Sequence, residues 1–276
     1  MAGYIGSRSV ALSTTAANVE DITATDTSPE VTLVNTTHED SDGGRESKIT
    51  FKGEQTGGEQ TTLAQIQASH DGASDDEKGD LIFKTNDGSD GASPTERMRI
   101  DSVGTVTITN ASNDTQLLLE STDTDANSGP VLELYRNSSS PADDDVLGEI
   151  EFHGENDADE KIQYGLIAAK IQDASDGTED VRLSFKTITA GTERERITIQ
   201  PTEVVINEDS QDLDFRVESD GNANMLLVDA GVNSVLIGKN TPNTTVDGVY
   251  FQDLGSGFIH GVITNSTSIS SYSTLY

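Results

Sequence analysis

Residues 48–52 read Lys-Ile-Thr-Phe-Lys, and this alternation of apolar and polar side chains decides the fold class. Because successive side chains of a strand point to opposite faces, Ile49 and Phe51 are predicted on one face and the lysines on the other. Residues 212–217, Asp-Leu-Asp-Phe-Arg-Val, repeat the pattern. Similar runs surround Leu81/Phe83, Ile150/Phe152, Leu183/Phe185, Ile197/Ile199 and Val235/Ile237. Asp-Gly and Gly-Gly turn signals separate the runs, so the sequence predicts a mainly β protein.

Two stretches of the chain, about 30–108 and 131–206, match in the order of their elements. The first contains VTLVN, KITFKGE, TTLAQIQAS, GDLIFKT, ERMRI and GTVTI; the second contains VLELYRN, EIEFHGE, QYGLIAAKIQ, VRLSFKT, ERERI and EVVI. Ile49 and Phe51 align with Ile150 and Phe152 at an offset of 101, and ERMRI aligns with ERERI at 97. We therefore expect two copies of a unit of about six short strands, followed by a shorter unit at 211–238.

Composition limits the partners of such a chain. Its 276 residues carry 49 acidic and 17 basic side chains, a formal charge of −32, with no Trp or Cys. A field this negative repels phosphate backbones and anionic headgroups, which predicts no nucleic-acid or membrane-surface partner. The longest apolar runs are four or five residues, far short of the roughly 20 needed to cross a bilayer, so no membrane insertion is expected. Without cysteine there is no disulfide, thiolate nucleophile or Cys-based metal site.

Each predicted unit has only one thin apolar face, so we expect it to bury that face against neighbours. Stacking along the chain supplies one neighbour, and identical chains around a three-fold axis supply two more. This predicts an elongated repeat architecture of short antiparallel β units, intertwined or packed around a shared axis. The side chains expected at the trimer core are Ile49, Phe51, Leu81, Phe83, Ile150, Phe152, Leu183, Phe185, Leu213, Phe215 and Val217.

Three segments resemble tail-fibre and fibre-like virion proteins of tailed bacteriophages, particularly those of marine cyanobacteria. They are MAGYIGSRSVALSTTAA (1–17), ERMRIDSVGTVTI (96–108) and DFRVESDGNANMLLVDAGVNSVLIG (214–238). The resemblance implies a homotrimeric, β-rich virion fibre, assembled in the host cytoplasm. Its N-terminus would bind tail, baseplate or capsid proteins, and its distal end would reach toward a receptor on the host surface.

The resulting prediction divides the chain into five parts. These are a virion-attachment segment (1–26), repeat unit 1 (27–109), repeat unit 2 (110–207), a short hairpin-type shaft repeat (208–240) and the start of a distal β segment (241–276), which we expect to continue in a longer chain. Attachment is assigned to Tyr4, Ile5, Val10 and Leu12, because these apolar residues can dock on a neighbouring virion protein. The competing interpretation is that they cap the first β unit.

Signals for chemistry are weak by comparison. Residues 123–129 resemble the start of a calcium loop, but Gly129 falls at position 7 and Leu134 at position 12, where the motif needs Gly at 6 and Glu at 12. Acid pairs such as those in 143–145 could serve a glycosidase, yet aromatic residues make up only 5% of the chain. The arginines of ERMRI and ERERI are expected in ion pairs. The sequence therefore predicts no enzyme, metal site or cofactor; a bacterial surface adhesin, a capsid-attached head fibre and a polysaccharide-degrading tailspike stay open as alternatives.

Overall fold

The computed structural model describes residues 26–91, 93–239, 248–253 and 259–264. Within these ranges the chain forms strands and no helix, so the prediction of a mainly β fold is confirmed. The strands are β1 (Ser47–Glu54), β2 (Gln60–His70), β3 (Gly79–Thr85), β4 (Thr95–Ile100), β5 (Val106–Ile108), β6 (Val146–Glu155), β7 (Lys161–Asp173), β8 (Asp180–Thr189), β9 (Thr192–Ile199), β10 (Val204–Ile206), β11 (Phe215–Ser219), β12 (Asn222–Asp229), β13 (Ser234–Ile237), β14 (Gly248–Asp253) and β15 (Ile259–Thr264).

The strands form three antiparallel sheets, in which every strand pairs with its neighbours in sequence. Sheet A contains β1–β5, sheet B contains β6–β10 and sheet C contains β11–β15. Contacts divide the chain into two compact units, Met1–Pro130 with sheet A and Val131–Tyr276 with sheets B and C. The turns follow from local chemistry: Gly58 closes the β1–β2 connection with a φ of +87°, a conformation that glycine adopts without steric cost.

Sheets A and B have the same strand order and corresponding registers. Ile49 pairs with Ile66, which pairs with Phe83; in sheet B, Ile150 pairs with Ile167, which pairs with Phe185. Both sheets also carry a bulge between their first two strands. In sheet A the residue without a partner is Leu63 in β2, and in sheet B it is Tyr164 in β7. Matching registers and a matching bulge give the two sheets equivalent strands.

The register shows that the alignment of ERMRI with ERERI at an offset of 97 is wrong. Glu96 pairs with Lys84 in sheet A, and Glu195, not Glu193, pairs with the equivalent Lys186 in sheet B. The offset is therefore 99. Ile197 takes the place of Met98 on the apolar face, and Glu195 lies on the polar face rather than at an inward position.

The first expected element of each unit is not a strand. VTLVN (31–35) and VLELYRN (131–137) form no regular secondary structure, so each unit has five strands instead of six. Both segments run beside the strand that follows: the Asn35 side-chain amide donates to the Glu46 carbonyl (2.9 Å), and the Arg136 guanidinium donates to the Val146 carbonyl (3.0 Å). Leu213 likewise precedes β11 instead of lying in it.

Glu195 offers a test of the corrected register. Glu195→Met removes the nearer of two acidic partners of Arg182, whose side chain is only 21% exposed and whose second partner, Glu208, lies 4.0 Å away. We expect the free energy of unfolding to fall by about 1–3 kcal/mol, because a largely buried cation loses its hydrogen-bonded partner.

Glu193→Met is the matched control, since Glu193 is half exposed and pairs only with Lys186 among the described residues (2.9 Å). Its expected cost is below about 1 kcal/mol. Urea denaturation measures both variants. Equal effects, or a stabilising Glu195→Met, would restore the offset of 97.

Candidate interaction surface

Antiparallel pairing places the large apolar side chains of sheet A in two rows on one face. Across the sheet, one row follows Ser47, Ala68, Leu81, Ile100 and Val106, and the next follows Ile49, Ile66, Phe83, Met98 and Ile108. Neither row contains a charged residue. Cross-strand neighbours in such rows lie about 4.5–5.5 Å apart, so each row forms a continuous apolar strip.

Sheets B and C repeat this arrangement. In sheet B the rows are Gly148, Ala169, Leu183, Ile199, Val204 and Ile150, Ile167, Phe185, Ile197, Ile206. In sheet C they are Phe215, Val228, Val235, Phe251 and Val217, Leu226, Ile237, Val249. We call these three faces the apolar faces.

The apolar faces are open in the single chain. Phe51 and Phe152 are 49% and 55% exposed, and Ile49, Ile150, Phe215 and Val217 are also exposed. Burial is found instead on the opposite face, where Ile82 is 2% exposed and Leu166, Ala168 and Thr198 are buried. Exposed contiguous apolar surface of this kind marks an interaction site in a soluble protein.

The outer strands of sheets A and B favour contact through the faces rather than the edges. β5 and β10 have three residues each, and short edge strands offer few unpaired backbone groups to another sheet. On the other side, the pairing of β1 with β2 is interrupted by a bulge at Leu63, and the pairing of β6 with β7 by a bulge at Tyr164. Gly53 and Gly154 make room for these two side chains, since a Cβ on either glycine would lie within 3.2 Å of them.

Most of the expected trimer-core residues lie on the apolar faces. Eight of them belong to the rows: Ile49, Leu81, Phe83, Ile150, Leu183, Phe185, Phe215 and Val217. Phe51 and Phe152 lie on the same face, two residues after Ile49 and Ile150 on their strands. Leu213 lies outside any strand. The attachment residues Tyr4, Ile5, Val10 and Leu12 lie outside the described residues. The rows also contain Ile66, Met98, Ile108, Ile167 and Ile206, which strand alternation assigns to the same faces but which the predicted trimer core does not include.

The polar faces of sheets A and B hold ion-pair networks around a buried side chain. In sheet A, Arg99 contacts the buried Asp80 and pairs with Glu96 (2.7 Å), and these acids raise the pKa of Arg99, the Glu96 hydrogen bond most strongly. In sheet B, Glu195 contacts Arg182 and accepts a hydrogen bond from Ser184 (3.3 Å). The long side chains of these networks lie over the polar face.

The expected ion pairs of the ERMRI and ERERI arginines are present in sheet A. Arg97 pairs with Asp87 (3.1 Å), and Arg99 pairs as described above. In sheet B, Arg196 instead donates hydrogen bonds to Thr187 (2.7 Å) and Thr189. No ion pair of Arg194 occurs among the described residues.

A buried histidine joins two loops at one end of sheet A. His70 Nε2 lies 2.9 Å from Asp76 Oδ1, and Nδ1 lies 3.3 Å from the Ser41 carbonyl. The His70 backbone exchanges hydrogen bonds with Gly43 and Gly44 (2.9 and 2.8 Å), as Ile171 does with Asp144 and Asp145 in sheet B. The hydrogen bonds from His70 and then Lys78 lower the pKa of Asp76 to about 2.

Metal and membrane sites gain no support from the described residues. Asp123 and Asp125 accept hydrogen bonds from the backbone of Asp125 and Asn127 (3.2 and 2.8 Å), so they form turns of their own segment. No group of three or more acidic or histidine side chains could hold a metal ion in the described ranges. A helix able to cross a membrane was also not found in these ranges.

Comparisons with known proteins return no relative: no model of a protein family matches the chain, and no curated protein matches it.

The low pKa of Asp76 predicts a pH dependence. Because this pKa lies below its ordinary value of 3.8, the ionised carboxylate stabilises the fold above about pH 4, and the stabilisation is lost as the pH falls toward 2. Asp76→Asn keeps an oxygen acceptor for His70 but does not titrate. We expect the variant to be less stable than the wild type at pH 6, with a difference that shrinks between pH 4 and pH 2.

Urea denaturation across this pH range measures the difference. Asp75→Asn removes a neighbouring carboxylate that has no hydrogen bond among the described residues, and it controls for net charge. A gap between wild type and Asp76→Asn that stays constant from pH 6 to pH 2 would contradict the assignment.

Proposed function

We propose that this chain is a structural subunit of a homotrimeric virion fibre of a tailed bacteriophage. Three parallel copies pack the apolar faces of their sheets toward a three-fold axis. The N-terminus attaches to the tail, baseplate or capsid, and the distal end projects toward a receptor on the host. The subunit acts mechanically, holding the distal region away from the particle, rather than as an enzyme.

The observation that carries this proposal is the open apolar face, which occurs on all three sheets. A fully buried Ile or Phe contributes about 1.5–3 kcal/mol, so covering the half-exposed members of each row is worth about 1 kcal/mol per side chain. Summed over the rows, this is a substantial driving force for association through the apolar faces. Identical parallel copies meet it at all three sheets, because equivalent rows recur in each copy at the same positions.

Charge supports association of like chains through these faces. The chain carries a formal charge of −32, so contact between randomly chosen surfaces of two copies is repulsive. The two rows of each apolar face are free of charged residues, whereas acids such as Asp80 and Glu195 lie on the opposite faces. Packing face to face keeps the acids apart. The choice of three copies rather than two follows from the resemblance to phage fibres.

Oligomeric state and a matched pair of variants test the assembly. Native mass measurement is expected to give about 88 kDa, three times the 29.3 kDa chain. Phe51→Asp places a charge on the apolar face of sheet A, and we expect it to weaken the trimer at least tenfold. Thr50→Asp adds the same charge one residue away, on the polar face, and should leave the trimer intact.

A stable wild-type monomer of about 29 kDa would overturn the proposal, and a dimer would contradict its three-fold symmetry. Equal weakening by Phe51→Asp and Thr50→Asp would show that the apolar face of sheet A is not the contact.

Attachment by residues 1–26 needs a separate experiment. Deleting residues 1–20 removes Tyr4, Ile5, Val10 and Leu12 but none of the three sheets. We expect unchanged trimer mass and thermal stability, together with loss of incorporation into phage particles. Incorporation is measured by immunoblot of purified virions, and normal incorporation would refute the assignment. A loss of thermal stability would favour the interpretation that this segment caps the first β unit.

A further inference from the structure

The connection after sheet A repeats the sequence that leads into sheet C. Residues 104–121 and 202–219 align without a gap at an offset of 98, and both have the same residue at Val106, Ile108, Ser112, Asp114, Glu120 and Ser121. This alignment places Leu117–Ser121 on β11 (Phe215–Ser219). Leu117 and Leu119 correspond to Phe215 and Val217, which belong to the apolar face of sheet C.

The two equivalent segments differ in their hydrogen bonding. β11 pairs with β12, so that Phe215 lies opposite Val228 and Val217 opposite Leu226. In contrast, the backbone of residues 117–121 makes no backbone hydrogen bond with any part of the chain that the structure describes. Its three leucines are exposed, Leu118 to 71%. Residues 117–121 thus have a strand sequence without a strand partner.

A change in the following residues explains why no partner is available in the same chain. Ala126 and Asn127 align with Ala223 and Asn224 at an offset of 97. At the same offset, Ser128-Gly129-Pro130 replaces Met225-Leu226-Leu227, the part of β12 that pairs with Val217 and Arg216. Pro130 lacks the N–H that a ladder requires, and Gly129 has no side chain to pack. The hairpin of sheet C therefore cannot form after Leu117–Ser121.

We propose that Leu117–Ser121 forms a β-strand with a second copy of this chain, burying Leu117 and Leu119 at the contact. This inference rests on the proposed oligomer and adds a specific contact to it. The spacing of the apolar residues identifies the occupant: Leu117 and Leu119 precede Phe215 and Val217 by 98 residues, and the equivalent rows of sheets A and B are separated by 98–102 residues. A parallel second copy presents its own apolar residues at the same sequence spacing, so it can meet each of these positions with the equivalent residue.

Amide hydrogen exchange of the assembled wild-type chain tests the strand. Because residues 117–121 have no backbone partner in the part of the chain that the structure describes, protection of these amides reports bonds made on assembly. We expect exchange at least tenfold slower than in an unstructured peptide of the same sequence. Exchange at the peptide rate in the assembled protein would overturn the proposal, and it is the result expected if a different virion protein is the true occupant.

A pair of cysteine variants tests whether the partner is a second copy. The chain has no cysteine, so each introduced thiol is unique. Strand alternation directs residue 119 toward the contact and residue 118 away from it. Oxidation or a short bismaleimide should link Leu119→Cys into a species of about 59 kDa, twice the chain mass, at least tenfold faster than Leu118→Cys.

The outcomes separate this inference from the proposed function. If native mass shows a trimer but Leu119→Cys and Leu118→Cys cross-link equally or not at all, the inter-copy strand is wrong and the fibre proposal stands. If the wild type is a monomer, both fail.

Discussion

A five-stranded antiparallel sheet has two faces, and among the described residues of sheets A and B the buried hydrophobic side chains lie on only one of them. On the polar face of sheet A, Arg99 and its acidic partners lie over the sheet, and Ile82 is buried among them. The apolar face has no comparable cover, because Ile, Phe and Val are too short to shield one another in a single layer. The proposed assembly depends on burying that face, and the distribution of charge is consistent with this because the charged side chains lie on the opposite face.

Much of this fold could be predicted from the sequence, because strand periodicity and turn chemistry are local properties. Alternation around Ile49 and Phe51 located β1 and its face, and Gly57-Gly58 marked the turn that follows. The ordered repeat located the equivalent β6. The predicted list of core residues also fell almost entirely on the apolar faces, since a period of two assigns each residue to one face without knowledge of its partner.

Features that depend on pairing between strands could not be predicted from the sequence. ERMRI and ERERI look equivalent at an offset of 97. Strand pairing gives an offset of 99 instead, because Lys84 pairs with Glu96, Lys186 pairs with Glu195, and bulges occur at Arg97 and Arg196. VTLVN has the composition of a strand, yet it pairs with no strand in the described ranges. The link between His70 and Asp76 was also not predicted, because the loops that it joins meet only once β1 and β2 have paired.

The meander order of the sheets has a consequence for the kinetics of assembly. Every strand pairs with the strand next to it in sequence, so the ladder of each sheet closes over short loops. Contacts of low sequence separation form quickly, since little chain entropy is lost before the first pairing. Each sheet can therefore form within a single newly made chain, whereas contact between copies must wait for diffusion and depends on concentration. In the proposed trimer, strand pairing would therefore come first and oligomerisation second, with exposed apolar faces present in the interval between them.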